Sequence, residues 1–267
     1  MRENSEGCGK SWFAGTEFQN PLNMLPAIQS RRAPAWALAA VATLLVCPAH
    51  AGTIVKADNS DSLNQPSSWT SGVTPGSNDT VRWDNNVTSA RTVSLGGNQN
   101  WLGLDIVDPG GSVTFNPGNL LTLGTGGIRA TPNLTITLNN AITLGGSQVW
   151  KNAASSLIPA GGVETSGFAL TLDGAGTKQF KKGITGGGPI LINGGTMRFS
   201  SAATATASAV TANAGTTLAY DTATGPAFRA GNLVLNGATL TVGGLGSANA
   251  VETNNGGLGI GPGRSTV

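Results

Sequence analysis

After Ala51 the 267-residue sequence contains no cysteine and no histidine, because Cys8, Cys47 and His50 all precede that position. The missing thiols exclude disulfide bonds, a cysteine nucleophile and a Cys/His zinc site from this part of the chain. The missing imidazoles exclude a Ser-His-Asp triad and a haem held by histidine. Packing and hydrogen bonding, or a bound ion, must therefore stabilise the chain after Ala51.

Charge and aromatic residues are also scarce. Charged residues make up 10% of the chain and aromatic residues 5%, and 15 Lys and Arg against 13 Asp and Glu give a net charge of +2. This near-balance argues against a basic nucleic-acid groove and an acidic tail, so no nucleic-acid partner is expected. Glycine is abundant instead, with 40 residues, and the 39% hydrophobic content argues against a disordered chain.

Residues 24–51 have the three-part layout of a secretory signal peptide. Arg31 and Arg32 form a basic region, residues 35–46 form an apolar run, and Ala49-His50-Ala51 presents small residues for cleavage. The run is too short for a stable membrane anchor, which needs about 20 residues. We expect Sec-type export, cleavage after Ala51 and an extracellular or bacterial cell-surface location. The alternative is a buried helix.

Two other export signals overlap this segment, and the chain begins unusually far in front of it. Arg31-Arg32 also occurs in twin-arginine signals, and residues 44–47 faintly match a lipoprotein cleavage site, but both patterns fit less well than Sec export. Met24 is a conventional start for such a signal. Residues 1–23 are therefore predicted to be an over-extended start, that is, to result from a start codon assigned too far upstream of Met24.

Residues 52–112 and 113–267 differ in composition. The first segment contains Trp69, Trp83 and Trp101 and most of the carboxylates after Ala51, and we interpret it as an N-terminal capping region. A stacked β-structure needs a cap because its terminal edge would recruit other strands. The alternative is that these tryptophans and Trp150 stack on sugars.

Residues 113–267 repeat an apolar-Thr-apolar pattern. Alternation with period two is typical of strands with one buried face, and Gly, Asn or Pro bounds each short run. The pattern occurs at residues 113–115, 121–123, 134–138, 142–144, 170–172 and 240–242.

Turn-forming Asn and Asp residues recur along the same region, and most of their intervals are close to the roughly 20 residues of a short solenoid coil. Coils of this size are typical of a parallel β-helix, whose units must stack to bury their apolar faces. We expect stacking of these residues and no ligand role. One interval, from Asn139 to Asp173, is longer, and we interpret residues 158–162 within it as a loop that bulges from a coil. The recurring residues are Asn116, Asn139, Asp173, Asn193, Asn213 and Asn236.

The predicted fold is therefore all-β, a right-handed parallel β-helix with an N-terminal capping region. The hand follows from the crossover rule for parallel strands. The alternative is an antiparallel β-sandwich, which predicts more frequent turns, roughly every 10 residues, with longer strands between them.

The sequence resembles the autotransporter-associated β-strand repeat proteins of bacteria across most of residues 66–242. Residues 69–84 resemble the segment that precedes such repeats, residues 170–178 the Gly-rich core of the repeat, and residues 192–197 its closing strand. The resemblance implies a surface passenger with a right-handed parallel β-helix. Such proteins usually end in a membrane barrel or a sorting segment, and residues 261–267 fit neither. We expect a fragment of a longer product or a short stand-alone version, with membrane attachment only through a missing anchor or barrel.

The sequence predicts no catalytic, cofactor-binding or metal-binding residue. Asp58/Asp61, Asp79/Asp84 and Asp105/Asp108 are the closest carboxylate pairs, and we interpret them as solvated turn residues. Calcium-binding Gly-Gly-x-Gly-x-Asp repeats are absent, and residues 58–61 form only one oxygen-rich stretch. Lys181-Lys182, the one basic cluster, is expected on a solvated edge.

A secreted or surface-exposed, non-enzymatic structural or adhesin-like protein is the predicted function, with surface glycans or matrix as partners. The alternative is a carbohydrate-active β-helix protein, a lyase or hydrolase, that uses dispersed carboxylates such as Glu164, Asp173, Asp221 and Glu252.

Overall fold

A computed structural model describes residues 51–131, 133–153, 155–200, 205–220, 229–242, 252–253 and 258–260, all within one unit, Pro48–Val267. The predicted over-extended start and, apart from Ala51, the predicted signal peptide lie outside the described residues. One 3-10 turn, Pro66–Ser68, and 22 strands occur within them. The strands are β1 (Thr53–Val55), β2 (Thr80–Trp83), β3 (Arg91–Val93), β4 (Gln99–Ile106), β5 (Val113–Phe115), β6 (Leu121–Ala130), β7 (Thr135–Leu138), β8 (Ile142–Leu144), β9 (Gln148–Asn152), β10 (Ser156–Pro159), β11 (Val163–Glu164), β12 (Leu170–Asp173), β13 (Thr177–Phe180), β14 (Ile184–Gly187), β15 (Ile190–Ile192), β16 (Thr196–Phe199), β17 (Ala205–Ala212), β18 (Thr217–Tyr220), β19 (Arg229–Leu235), β20 (Thr239–Val242), β21 (Glu252–Thr253) and β22 (Leu258–Ile260).

All pairings between these strands are parallel, which confirms the predicted β-solenoid. One sheet contains eight strands in the order β3-β5-β7-β10-β13-β16-β18-β20, so the chain returns to it seven times. Paired positions in this sheet are separated by roughly 20 residues, which agrees with the predicted coil length. The alternative antiparallel sandwich is wrong for the described residues. The right hand stays a prediction.

The solenoid has three faces, because the second, 14-stranded sheet bends within its long strands. We call the eight-stranded sheet face A. Face B contains β8, β11 and β14 together with the first halves of β4 and β6. Face C contains β1, β2, β9, β12 and β15 together with the second halves of β4 and β6. The register shift between Trp101 and Gly103 marks the bend in β4.

Alternating side chains explain why each short run forms a rung of the solenoid. In β5, Val113 and Phe115 are buried and Thr114 between them faces outward, and β7 and β8 show the same alternation. Most of the short strands bury only one or two apolar side chains, so the core forms only when the strands stack. One stacked row is aromatic: the rings of Phe180, Phe199 and Tyr220 lie 5.5 Å and 5.1 Å apart between successive centroids.

The loop predicted at residues 158–162 is wrong. Ser156–Pro159 forms strand β10 and pairs in register with Thr135–Leu138, and the two following glycines form the next corner. A side chain at Gly161 would collide with the Asn140 carbonyl oxygen, which lies 1.9 Å from the position of an added Cβ. These residues are thus part of a regular coil.

The long interval between Asn139 and Asp173 arises because the Asn/Asp series combines two different corners. Asn116 and Asn139 follow face A strands, whereas Asp173 ends a face C strand and Asn193 follows the next one. At the face C corner, the predicted stacking of asparagines is confirmed. The Asn213 amide donates to Asn193 Oδ1 at 2.7 Å, and the Asn236 amide donates to Asn213 Oδ1 at 3.2 Å.

The segment from Lys56 to Thr70 folds back on the first rungs. An isolated antiparallel bridge joins Lys56 to Trp69, and the Thr70 amide donates to the Val55 carbonyl at 3.0 Å. The Leu63 amide donates to the Ser94 carbonyl beside face A at 2.9 Å. This segment therefore lies along the outer edge of the first coil. The assignment of residues 52–112 as a capping region stays a prediction.

Candidate functional site

The four tryptophans after Ala51 are core residues. Trp69 is 2% exposed and Trp83, Trp101 and Trp150 are fully buried. Trp69 packs edge-on against Trp83 and Trp101, with ring centroids 6.1 Å and 6.3 Å away. The alternative that these rings stack on sugars is wrong in this structure, because no ring face reaches the surface.

The oxygen-rich stretch at residues 58–61 holds a lysine ammonium group. Lys56 Nζ donates to the Ala57 and Asn59 carbonyls at 2.9 Å each and to Asn59 Oδ1 at 2.7 Å. Burial lowers the pKa of Lys56 to about 8, although Asp61 partly opposes this effect. Asp58 forms an ion pair with Arg91 and accepts a hydrogen bond from the Thr88 hydroxyl at 2.6 Å, and these contacts lower its pKa. The oxygens that face Lys56 are thus already bound to a cation.

Asp105 is not the solvated turn residue that the sequence predicts. It lies in β4 on face C, is 5% exposed, and pairs in register with Arg82 and Arg129 on the neighbouring rungs. Arg82 Nη2 and Arg129 Nε donate to it at 2.8 Å each. The ion pair raises the pKa of Arg129. Pairing of adjacent rungs, which sequence distance does not reveal, brings the three side chains together.

This triad begins a column of polar side chains along face C. Lys151 follows Arg129 on the next rung and forms an ion pair with Asp173 at 3.4 Å. A hydrogen bond from the Gly174 amide, assisted by Lys151, lowers the pKa of Asp173. The stacked asparagines 193, 213 and 236 continue the column. Both carboxylates of the column, Asp105 and Asp173, are therefore paired with cations of the column itself.

The remaining described carboxylates mostly bind turn backbone or hydroxyl groups. Asp79 accepts from the Gly76 amide at 2.8 Å, Asp84 from the Asn86 amide at 3.0 Å, and Asp61 from the Ser67 hydroxyl at 2.6 Å, as expected of turn residues. Asp108 is exposed. Among the described residues no group of three His, Cys, Asp or Glu side chains is placed to hold a metal ion.

A buried lysine occupies the inner side of face A. Lys178 is fully buried and stands between Leu157 and Met197 in a row of apolar side chains. Its ammonium group donates to the carbonyls of Gly174, Gly176 and Gly194 at 2.8, 3.3 and 3.2 Å. Burial lowers the pKa of Lys178 to about 8. This amine binds the corner backbone, so its role in the described structure is structural.

A groove of about 300 Å³ lies where face A turns into face B. We call it the corner groove. Thr143, Glu164 and Thr185 line one side of it and are outward-facing neighbours on three successive rungs, β8, β11 and β14. Lys182 and the backbone of Gly161, Gly162 and Gly183 complete it. A Cβ added at Gly162 would lie 3.5 Å from Lys182 Cβ, so the absence of a side chain there keeps the groove open.

The corner groove contains one carboxylate and one ammonium group. Glu164 Oε2 accepts from the Thr185 hydroxyl at 2.5 Å and Oε1 from the Ser166 amide at 3.1 Å, which fixes the carboxylate. Lys182 is exposed, as predicted for the Lys181-Lys182 pair, and it lines the groove whereas Lys181 does not. The lining is thus neutral overall but rich in hydrogen-bonding groups.

Comparison with known proteins gives no family for this chain. It matches no protein-family model, no curated protein and no solved structure. The relation to autotransporter-associated β-strand repeat proteins therefore stays a prediction from the motifs. Within the described part of the chain, no helix has the length and apolar character needed to cross a bilayer.

Proposed function

We propose that the protein is an exported, non-enzymatic structural or adhesin-like protein that presents a rigid β-solenoid surface to glycans or matrix. The observation that carries the proposal is that most carboxylates of the described coils are already bound by side chains or backbone amides of the coils themselves. Asp105 is bound by two arginines and Asp173 by Lys151, so both carboxylates of the column on face C are paired within that column.

The same observation bears on the alternative of a carbohydrate-active enzyme. Glycoside hydrolysis uses a proton donor and a second carboxylate, about 5 to 9.5 Å apart on either side of the bond. Glu164, the carboxylate in the corner groove, is held by a hydroxyl and an amide and has no second carboxylate among the described groove-lining residues. The geometry of the described residues therefore favours contact with a partner over its chemical conversion.

Rigidity follows from the repeated pairing of the rungs. A parallel ladder gives each inner strand hydrogen-bonding partners on both sides, and the stacked side chains add a continuous core. Binding groups on such a scaffold lose little conformational entropy when a ligand binds. This property suits a protein whose work is to hold a surface in place outside the cell.

A combined binding and turnover assay tests the proposed function. The purified protein is applied to immobilised neutral and acidic glycans and to matrix proteins, and soluble glycans are assayed for release of reducing ends. We expect saturable adhesion to at least one surface and no release of reducing ends. Release at a catalytic rate would overturn the proposal in favour of the enzyme, and the lack of adhesion to every surface would also contradict it.

Export is tested separately on the producing cell. N-terminal sequencing of protein recovered outside the cytoplasm should give Gly52 as the first residue, because the signal layout places cleavage after Ala51. A cytoplasmic protein that keeps residues 24–51 would contradict the export part of the proposal.

A further inference from the structure

We propose that the corner groove binds one sugar ring of a neutral glycan, with Glu164 and Lys182 on opposite sides of the ring hydroxyls. This inference rests on the proposed function and names its ligand class and binding site. It depends on the shape of the groove, on its hydrogen-bonding groups and on its charge.

The shape of the groove fits a small polar ligand. Its volume of about 300 Å³ is at the lower end of the range for ligand sites. Thr143, Glu164 and Thr185 stand on consecutive rungs, roughly 4.8 Å apart as parallel strands are. Their side chains form a polar wall about two strand spacings long, roughly 10 Å, so it can contact one sugar ring and part of the next but not a long polymer segment.

The groups along the groove complement hydroxyl groups. A sugar hydroxyl donates one hydrogen bond and accepts others, so it binds best between an acceptor and a donor. Glu164 supplies carboxylate oxygens and Lys182 an ammonium group that donates. The Thr143 hydroxyl can donate or accept, and the Thr185 hydroxyl, whose proton is donated to Glu164, can accept. Hydrogen bonds to charged groups are also stronger than those between neutral groups.

The lining of the groove has no net charge that would favour a charged ligand. Glu164 and Lys182 cancel, and no other charged side chain is present among the described residues that line the groove. An acidic sugar would be repelled by Glu164 and attracted by Lys182, and a cationic ligand would meet the reverse, so neither gains from its charge whereas it loses hydration on binding. The carboxylate is also fixed before binding by the Thr185 hydroxyl and the Ser166 amide, which keeps its acceptor geometry ready.

The chain supplies a matched control for this site. Lys181 and Lys182 are adjacent and both exposed, but only Lys182 lines the groove. Replacement of either by methionine removes the same charge from the same corner. Glu164→Gln keeps an oxygen acceptor for the Ser166 amide and replaces the second carboxylate oxygen, which accepts from Thr185, with a neutral NH2 group. Circular dichroism checks that the fold is retained.

Calorimetric titration of the full-length protein tests the inference with cellohexaose, mannohexaose and xylohexaose as neutral probes and hexagalacturonate as the acidic probe. We expect at least one neutral probe to bind, with an affinity that changes less than twofold between low and high salt, because no ion pair with the ligand forms. Lys182→Met and Glu164→Gln should each weaken that binding tenfold, about 1.4 kcal/mol, whereas Lys181→Met should change it less than twofold.

Several outcomes would overturn the inference. These are equal effects of Lys181→Met and Lys182→Met, no effect of either groove variant, the absence of binding to every neutral probe, or preference for hexagalacturonate with strong salt dependence. If the protein still adheres to glycans or matrix in any of these cases, the site is wrong while the proposed function stands. The absence of adhesion to any surface would instead remove the proposed function itself.

Discussion

Three charged residues, Lys56, Asp105 and Lys178, are buried in the described part of the solenoid. Lys178 lies two residues before the buried Phe180 in β13. The alternation of a strand therefore places both side chains on the inner side. A lysine on the inner side nevertheless contradicts the usual exposure of charged residues. The corner carbonyls of Gly174 and Gly194, contributed by different coils, make the position tolerable.

The first prediction concerns Lys178 and pH. In the unfolded chain its pKa is near 10.5 and in the folded protein it is about 8, so the unfolded state binds the proton more tightly between these values. The charged amine opposes folding below pH 8, and this unfavourable contribution is lost as pH rises toward 10.5. We expect the free energy of unfolding attributable to Lys178 to rise by about 1–2 kcal/mol from pH 7.5 to 9.5, as one pKa unit is about 1.4 kcal/mol.

Urea unfolding of the wild type and of Lys178→Met at both pH values measures this contribution. The difference between the two proteins isolates Lys178 from Lys56, whose pKa is lowered in the same way. The window ends at pH 9.5 because burial raises the pKa of Tyr220, and ionisation of that tyrosine in the unfolded chain opposes folding at higher pH. A wild type and variant with parallel pH dependence would contradict the prediction.

The second prediction concerns Asp105. Asp105→Asn leaves Arg82 and Arg129 without their shared carboxylate, and both guanidinium groups are exposed enough to be hydrated. We therefore expect a loss of about 1–3 kcal/mol in the free energy of unfolding, less than for a fully buried pair. Urea unfolding at pH 7 measures it.

Asp108→Asn is the control for this substitution, because Asp108 is exposed and lies shortly after Asp105 in the chain. It should change the free energy of unfolding by less than about 0.5 kcal/mol. Equal losses in the two variants would show that the triad on face C contributes nothing particular.

At the scale of the element, the sequence predicts the strands better than the corners. Apolar-Thr-apolar runs at residues 113–115, 121–123 and 142–144 match β5, the first half of β6 and β8. The corners are harder because Asn116 and Asn213 have the same turn preference but lie at different corners. Only the pairing of rungs distinguishes them, and that pairing is a long-range property.

The corner groove shows the same limit. Thr143, Glu164 and Thr185 are evenly spaced in the sequence by one coil length, and this equal spacing could have placed them on one face. The sequence alone, however, does not determine which residues of face B pair with one another. Glu164 is therefore indistinguishable in the sequence from the other dispersed carboxylates. Lys182 enters the groove from the corner that follows face A, so no single strand pattern includes all four residues.

The third prediction concerns the stacked asparagines. Asn213 bonds to Asn193 on one side and Asn236 on the other, so Asn213→Ala removes both contacts. We expect a loss of about 1–2 kcal/mol, since a typical hydrogen bond contributes roughly 0.5–1.5 kcal/mol. Thermal and urea unfolding measure the change.

Asn232→Ala provides the comparison, because Asn232 is exposed on β19 and is not part of the stack. A loss from Asn232→Ala as large as that from Asn213→Ala would contradict a specific contribution of the corner stack.

At the scale of the whole molecule, the strand pairings of the described residues join each coil to the coils before and after it. The aromatic row from Phe180 to Tyr220 and the polar column on face C both run through several coils, but each contact joins neighbouring rungs. Stability in such an arrangement is a sum of coil and interface terms, and unfolding need not involve every coil at once.

The fourth prediction follows from this nearest-neighbour arrangement. Leu240 is buried in β20 at one end of face A, and Leu240→Asp places an unpaired charge there. We expect amide hydrogen exchange to accelerate in β18 and β20 while β5, β7 and β10 keep their protection. Peptide-resolved mass spectrometry measures exchange, and a uniform loss of protection over all coils would contradict the prediction.

The regular return of the chain to face A also determines how the molecule would yield to a pulling force. Tension between the two ends of the stack acts along the hydrogen bonds that join neighbouring coils, so every coil boundary carries the same force and the weakest boundary separates first. A detached coil of about 20 residues lengthens the chain by roughly 70 Å. Under load the solenoid would therefore extend in even steps, and the coils still stacked would keep their outward surfaces unchanged.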